Sequence, residues 1–352
     1  MSHKELLLVG SVPFDTVEEV MTQFGGTLGR YLPAVPDGEV GERRSWVNRF
    51  CYLVFNGHAD LETLKRPKPI DGVEQLLPRS REDSWQFRVW PNVERVRFGN
   101  PGMRLGYARD AVASYFVFKT LREKGLLPAG LRFQISIPMV NSVVRALYFP
   151  DPKDVERIRP GFEEALAAEL DAIAKHIPAP DLAIQWAMAW EIQAVSGAAA
   201  TPQEAKIETH TAPVARLSQR LPDGVALGFH FCFGTFGGWP AFAPETLGPT
   251  IDLANASIEA TGRRVAWVHI PVLNTTEDKF YAPLAGLKAN GADVYLGAIH
   301  SMPTLKARLD VARKHLPRFG LAAYCGFGRT PPEQLPQLLA DHLEAVKIAG
   351  LG

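Results

Sequence analysis

His230 and Cys232 stand two apart in Gly228-Phe229-His230-Phe231-Cys232-Phe233-Gly234, at the end of an apolar run, and Cys325 stands far along the chain in Tyr324-Cys325-Gly326-Phe327-Gly328-Arg329. In an extended chain alternate residues share a face, so the first two side chains point the same way. An imidazole and two thiolates are good zinc donors, and a catalytic zinc typically takes three protein ligands and keeps one position open. Taken singly, each residue has a plainer explanation: a free cysteine is a small hydrophobe, and a histidine beside an apolar run is a hydrogen-bonded core residue. Their conjunction at strand ends is what turns the reading towards a metal centre.

Two more histidines end apolar runs. His300, in Ala298-Ile299-His300-Ser301, titrates near neutral pH and could move a proton on or off a metal-bound group, or merely cap the helix that follows. His269, in Val268-His269-Ile270-Pro271, is a fourth ligand, a substrate contact or a packed residue. Glu39, Arg43 and Arg44 follow the second apolar run as anchors for a substrate carboxylate or as solvated charge. Arg329 follows Cys325 closely enough to be counted with the substrate contacts. Trp186, Trp190, Phe231, Phe233, Phe236 and Trp239 crowd the same stretches, which suits a flat apolar substrate or a pterin ring as well as simple loop packing.

These residues need a frame that gathers strand ends. Strands are expected at 5–12, 31–36, 131–137, 182–186, 225–230, 265–269, 294–299 and 321–325. Helices are expected from Asp15 as N-cap to about 23, then at 105–124 with Gly125 closing it, 152–175, 202–219, 281–289, 304–316 and 331–349. Near-continuous apolar strands separated by helices imply a parallel sheet buried on both faces, and eight of them imply a closed (β/α)8 TIM barrel. An open doubly wound sheet is the rival, but no glycine-rich dinucleotide fingerprint follows the first strand. The stretch 58–103 lacks periodicity and reads as a long insertion after the second βα unit, covering one end of a single barrel domain as a lid, a binding loop or a hidden hairpin.

Composition narrows the partners. The 352 residues carry 38 Lys plus Arg against 38 Asp plus Glu, so no broad positive field invites nucleic acid or anionic lipid. No apolar run reaches the roughly 18 residues of a membrane span. Leu6-Leu7-Leu8-Val9 is too short for a signal peptide, and three cysteines do not make a secreted disulfide framework, so a cytoplasmic protein with reduced thiols and a small-molecule substrate is expected.

Gly10-Ser11-Val12-Pro13, His230-x-Cys232, Ile299-His300-Ser301 and Cys325-Gly326 with Arg329 follow one another as in the C-terminal catalytic barrel of cobalamin-independent methionine synthase, which this chain resembles over most of its length. That superfamily includes zinc-dependent alkyl-thiol transferases and lyases, and its barrel is similar to that of uroporphyrinogen decarboxylase. The resemblance implies that His230, Cys232 and Cys325 bind Zn2+, that the metal takes up a thiol substrate, that His300 shuttles the proton and that Ser11 joins the substrate contacts. Zinc coordination keeps a thiol ionised at neutral pH, and the thiolate is the competent nucleophile for an alkyl carbon.

The departures are specific. His269 stands where the synthase has a glutamate ligand, Ile184-Gln185-Trp186-Ala187-Met188 replaces an acidic strand end that holds the amino acid ammonium, and the long N-terminal half of the full-length synthase has no counterpart here. The expectation is therefore a zinc-dependent methyl or alkyl transferase acting on a thiol or aromatic substrate other than homocysteine, with 5-methyltetrahydrofolate admitted as methyl donor. A lyase or decarboxylase on the same barrel is the first alternative, and a non-catalytic thiol- or metal-binding barrel the second.

Overall fold

The computed structural model describes residues 4–99, 105–199 and 201–351. Its strands, in chain order, are β1 Leu6–Leu7, β2 Ala34–Pro36, β3 Leu61–Lys65, β4 Gln86–Val89, β5 Arg132–Pro138, β6 Leu182–Met188, β7 Ala226–Phe231, β8 Trp267–Pro271, β9 Asp293–Ile299 and β10 Gly320–Ala323. Eight of them form one sheet in the order β1-β10-β9-β8-β7-β6-β5-β2, and every ladder in it is parallel. The two edge strands are joined beyond their ends, where the Val12 N–H donates to the Gly38 carbonyl at 2.8 Å. With helices Tyr107–Glu123, Pro152–His176, Ile207–Ser218, Gly248–Ala260, Leu305–Arg313 and Leu335–Ala349 around it, this is the expected TIM barrel.

Strand composition explains the closure. β6 is buried at every position from Leu182 to Met188, as a strand with helices on one face and the barrel interior on the other must be. Leu7, Ala34, Ala183, Trp267, Tyr295 and Ala322 fill the lower interior, two large rings set among small residues. Room for the Trp267 indole comes from Gly228, where an added Cβ would lie 2.0 Å from Cε2 of the ring. Above this plug lies a polar layer. Gln185 Nε2 donates to the Val9 carbonyl (2.6 Å) and to Ser136 Oγ (3.0 Å), while its Oε1 accepts from Trp267 Nε1 (3.1 Å). Gln134 Nε2 and Ser136 Oγ also donate to the Val9 carbonyl, tying β5 and β6 to the first strand.

Several elements differ from the sequence expectation for local reasons. Thr16, not Asp15, is the first N-cap, because its hydroxyl and the Glu19 carboxylate form a reciprocal capping box. The helix expected from 202 begins at Ile207, since the Thr201 hydroxyl accepts the Glu204 N–H and holds a turn instead. The helix expected at 281–289 is a short α-turn, Asp278–Tyr281, running into a 3-10 turn, Ala282–Gly286. The insertion follows β2 and the short helical segments Asn48–Phe50 and Cys51–Phe55, and precedes helix Tyr107–Glu123. It contains the antiparallel pair β3–β4, whose alternation is masked by a register shift between Thr63 and Lys65. Among the described residues no helix is long and apolar enough to cross a membrane.

Candidate metal centre

β7 alternates, so Phe229 and Phe231 face the helices, stacked at 5.7 Å, while His230 faces the barrel axis. Cys232 follows at the strand end and Cys325 two residues beyond β10. Their Sγ atoms are 3.3 Å apart, His230 Nε2 is 3.8 Å from Cys325 Sγ, and the donor atoms of the three lie within 4.8 Å of one another. Two thiolates at 2.3 Å from a tetrahedral zinc are about 3.8 Å apart, so the set fits that ion with little movement. The Gly234 N–H donates to Cys232 Sγ at 3.2 Å, a bond that stabilises a thiolate there. Cys325 accepts from the Cys232 thiol beside the His230 ring, and this holds it well below the ordinary thiol range while Cys232 is pushed up. Among the described residues this is the one cluster of histidines, cysteines and carboxylates with metal-binding geometry.

His269 is outside that set. It is fully buried, with Nδ1 2.9 Å from His230 Nδ1 and Nε2 2.9 Å from the Ala323 carbonyl oxygen. Burial, followed by the neighbouring His230, pushes its pKa down to about 3, so the ring is neutral. Both ring nitrogens face carbonyl oxygens, Nε2 that of Ala323 at 2.9 Å and Nδ1 that of Phe231 at 3.2 Å; the shorter contact takes the single proton of the neutral ring on Nε2, and Nδ1 then accepts the Nδ1–H of His230. That leaves the His230 Nε2 lone pair facing the two sulfurs.

His230, Cys232 and Cys325 border a cavity of about 970 Å³, counted out to its open mouth. Of the substrate contacts expected from sequence, Ser11, Glu39, Arg44, Trp190, Phe236 and Arg329 line it. Ser11 is held against the turn after Cys325: its carbonyl accepts the Phe327 N–H at 2.6 Å and its hydroxyl the Gly328 N–H at 3.2 Å. An added Cβ at Gly326 would lie 2.6 Å from Ser11 Oγ, which is why glycine follows the ligand. Glu39 holds a left-handed backbone (φ 47°) fixed by its N–H donating to Asp37 Oδ1 at 2.9 Å. Burial, then the Asp37 charge, raises its carboxyl to about 8, against the opposing pull of Arg43 and Arg49. It is neutral at pH 7.

Other expected residues lie elsewhere. Trp186 points out of the barrel, fully buried, and donates from Nε1 to Ser218 Oγ at 3.0 Å; it does not line the cavity because β6 presents Gln185 and Ala187 inward and Trp186 outward. Arg43 turns away to Asp37 (2.6 Å) and Asp110 (3.3 Å). Trp239 stacks on Tyr324 at 4.3 Å and on Phe233 at 5.8 Å. His300 packs edge-on to Tyr324 at 5.6 Å and Trp239 at 6.3 Å and is not on the cavity wall. Its Nε2 lies 2.9 Å from the Val272 carbonyl oxygen and 3.2 Å from Arg308 Nη1, its Nδ1 lies 3.3 Å from Ser301 Oγ, and burial with the Arg308 charge pushes its pKa down to about 4, so the ring is neutral.

Sequence reasoning passed over Arg145, Tyr148, Trp46 and Arg81, all of which line the cavity. Arg145 carried a usable signal, since it follows the third barrel strand in the loop where site residues gather. Arg81 carried none, because it comes from the insertion and reaches the cavity through a bond to Gln193 Oε1 at 2.8 Å.

No family model and no curated protein sequence matches the chain. Solved structures do. A B12-independent methionine synthase from Shewanella sp. W3-18-1, in complex with selenomethionine, superposes with a TM-score of 0.58 at 15% identity, covering 99% of this chain and 97% of that one. A putative vitamin-B12 independent methionine synthase from Listeria monocytogenes gives 0.52 at 16% identity over 95% and 86%. A methyltransferase from Methanosarcina mazei gives 0.51 at 13% identity over 98% and 94%. The chain shares their fold along its whole length.

Proposed function

We propose that the protein is a zinc-dependent methyl or alkyl transferase that acts on a thiol or aromatic substrate. The observation that carries this reading is the His230, Cys232 and Cys325 cluster at the barrel mouth, with a cavity opening directly onto it. His230 would bind through Nε2 and the cysteines through Sγ, and zinc held there would supply a Lewis acid that keeps a substrate thiol ionised at neutral pH.

The chain's own groups do the rest. His269 fixes the His230 tautomer, and Gly234 steadies the Cys232 thiolate. Glu39 presents a protonated carboxyl on the cavity wall. Trp190 and Phe236 offer ring surfaces to an apolar or aromatic substrate, which is where a pterin methyl donor such as 5-methyltetrahydrofolate would stack. His300, one ring layer behind Trp239 and Tyr324, is the proposed proton acceptor. Homocysteine is disfavoured: Gln185, where an ammonium partner would stand, has both its amide group and its oxygen committed within the barrel. A lyase or decarboxylase is the second reading, favoured by the guanidinium groups of Arg44, Arg145 and Arg329 on the same cavity.

Metal analysis of protein purified from zinc-replete medium tests the foundation. About one zinc per chain is expected, lost in Cys232→Ser and in Cys325→Ser. Cobalt-substituted protein should then show a thiolate charge-transfer band on adding a substrate thiol, and methyl transfer to a panel of thiols from methyl-folate or methoxyaromatics identifies the reaction. A folded protein that takes up no metal sinks the reading.

A further inference from the structure

We infer that the occupant of this cavity is an anion without an ammonium group: a substrate whose tail carries a carboxylate, sulfonate or phosphonate. The inference rests on the reading above that the cavity is a substrate site beside a metal, and it goes beyond it to the substrate's charge.

Four guanidinium groups, those of Arg44, Arg81, Arg145 and Arg329, line the cavity, in a chain whose charges balance overall. Among the described residues none of the four has a carboxylate within salt-bridge distance. Arg81 donates to an amide oxygen, Gln193 Oε1, and Arg329 to a hydroxyl, Thr235 Oγ1, at 2.6 Å. Arg145 lies over the rings of Tyr148 (5.3 Å) and Trp190 (5.0 Å), and its Nε is buried with no hydrogen-bond partner. A guanidinium that borders a cavity and has no carboxylate partner is open to an anion placed there. Arginine is also the side chain whose planar fork reads carboxylate-like groups.

The acids are disposed to the same end. Glu39 is the one carboxyl among the residues lining the cavity, against four guanidinium groups. Glu191 lies nearby but buried behind Ser142, whose hydroxyl donates to it at 2.6 Å, and it does not reach the cavity. An ammonium entering here would be repelled by four guanidinium groups with one carboxyl to offset them; an anion would be attracted by the same four. The anion can belong to the thiol or to the methyl donor, and the two sources are separable by experiment.

The test uses the zinc-loaded full chain and isothermal titration calorimetry. In the first arm four short thiols are compared: 2-mercaptoethanol, 2-mercaptoethylamine, 3-mercaptopropionate and 2-mercaptoethanesulfonate. In the second arm methyltetrahydrofolate is compared with its monoglutamate carboxylates free and amidated. The expected result is a preference of about tenfold or more for the anionic member of at least one arm, the size of a charge-assisted hydrogen bond. Arg145→Gln should remove that preference while zinc content and the affinity for 2-mercaptoethanol hold, and Arg329→Gln serves as an independent variant should the first fail to fold. Preference in the first arm assigns the charge to the thiol, in the second to the donor. Equal affinities in both arms, or tighter binding of 2-mercaptoethylamine, overturn the inference. Loss of 2-mercaptoethanol binding to intact zinc protein would instead count against the thiol-binding reading itself.

Discussion

His269 Nδ1 lies 2.9 Å from His230 Nδ1, and its own Nε2 is 2.9 Å from the Ala323 carbonyl oxygen. The Ala323 carbonyl, closer than the Phe231 carbonyl 3.2 Å from Nδ1, favours the proton on His269 Nε2, and the contact between the two Nδ1 atoms then turns the Nε2 lone pair of His230 to the sulfurs. His269→Ala should keep the protein folded and weaken zinc binding by about 10- to 100-fold, the usual effect of losing a group that orients a ligand. Competition with a chromophoric chelator measures it. Unchanged affinity would show that His230 needs no such partner.

The cysteine sulfurs, 3.3 Å apart, are close enough to react with each other once nothing holds them as separate ligands. After chelation, treatment with diamide, which accepts two electrons as two thiols become a disulfide, should remove two titratable thiols per chain and leave the buried Cys51 reduced. Zinc-loaded protein should resist the same treatment. Equal oxidation with and without metal would mean that the sulfurs do not bind it.

Glu39 makes stability and binding depend on pH in a definite direction. Its folded pKa of about 8 lies above the ordinary carboxyl value of 4.5, so the folded state binds the proton more tightly. The stabilisation is full below 4.5 and is lost as pH rises through about 8. Above that pH the new charge faces Asp37, Arg43, Arg49 and Cys325 and repels an anionic ligand. Glu39→Gln should flatten the decline in Tm between pH 5 and pH 9 and keep anion binding constant over the same range. A variant as pH-dependent as the parent would show that another group titrates.

Gly228→Ala tests the interior packing. The new methyl would collide with the Trp267 ring, whose Nε1 is committed to Gln185, so neither side can give way cheaply. A loss of about 1–3 kcal/mol or more in urea unfolding is expected, with the zinc site weakened through the displaced polar layer. A loss below 0.5 kcal/mol would mean that the plug is loosely packed.

For His300 the informative variant is glutamine. His300→Gln keeps a donor for the Val272 carbonyl but has no group that takes up a proton near neutral pH. Zinc content should be unchanged in both His300→Gln and His300→Ala. Activity lost in both fits a proton acceptor; activity restored by glutamine would reduce His300 to a brace for the Val272 loop.

The TIM barrel and the meeting of His230, Cys232 and Cys325 at its mouth were readable from the chain because both rest on short-range regularities. Apolar strand runs alternate with helical periods, and residue types capable of ligation stand at strand ends, where barrel geometry converges them whatever their separation in sequence. The resemblance to the methionine synthase barrel rested on the same strand ends. Outside the chain's own resources was everything set by which way a side chain turns after its strand stops. Trp186 and Gln185 are neighbours, yet the pleat sends one to the helices and the other to the cavity floor, and an apolar pattern buried on both faces does not announce that parity. His269 is equally plausible as ligand or brace until the Ala323 carbonyl is found beside it. Arg43 and Arg44 are indistinguishable as a pair of letters; the nearby Asp37 and Asp110 claim the first and leave the second to the cavity. Arg81 enters from an insertion without periodicity, and only the folded chain brings it to the mouth. The sequence by itself determined which chemistry was available, since ligand types and strand rhythm are local properties. Orientation, tautomer and unpaired charge were decided by the tertiary structure, because each depends on a partner that is distant along the chain and close only once it has folded.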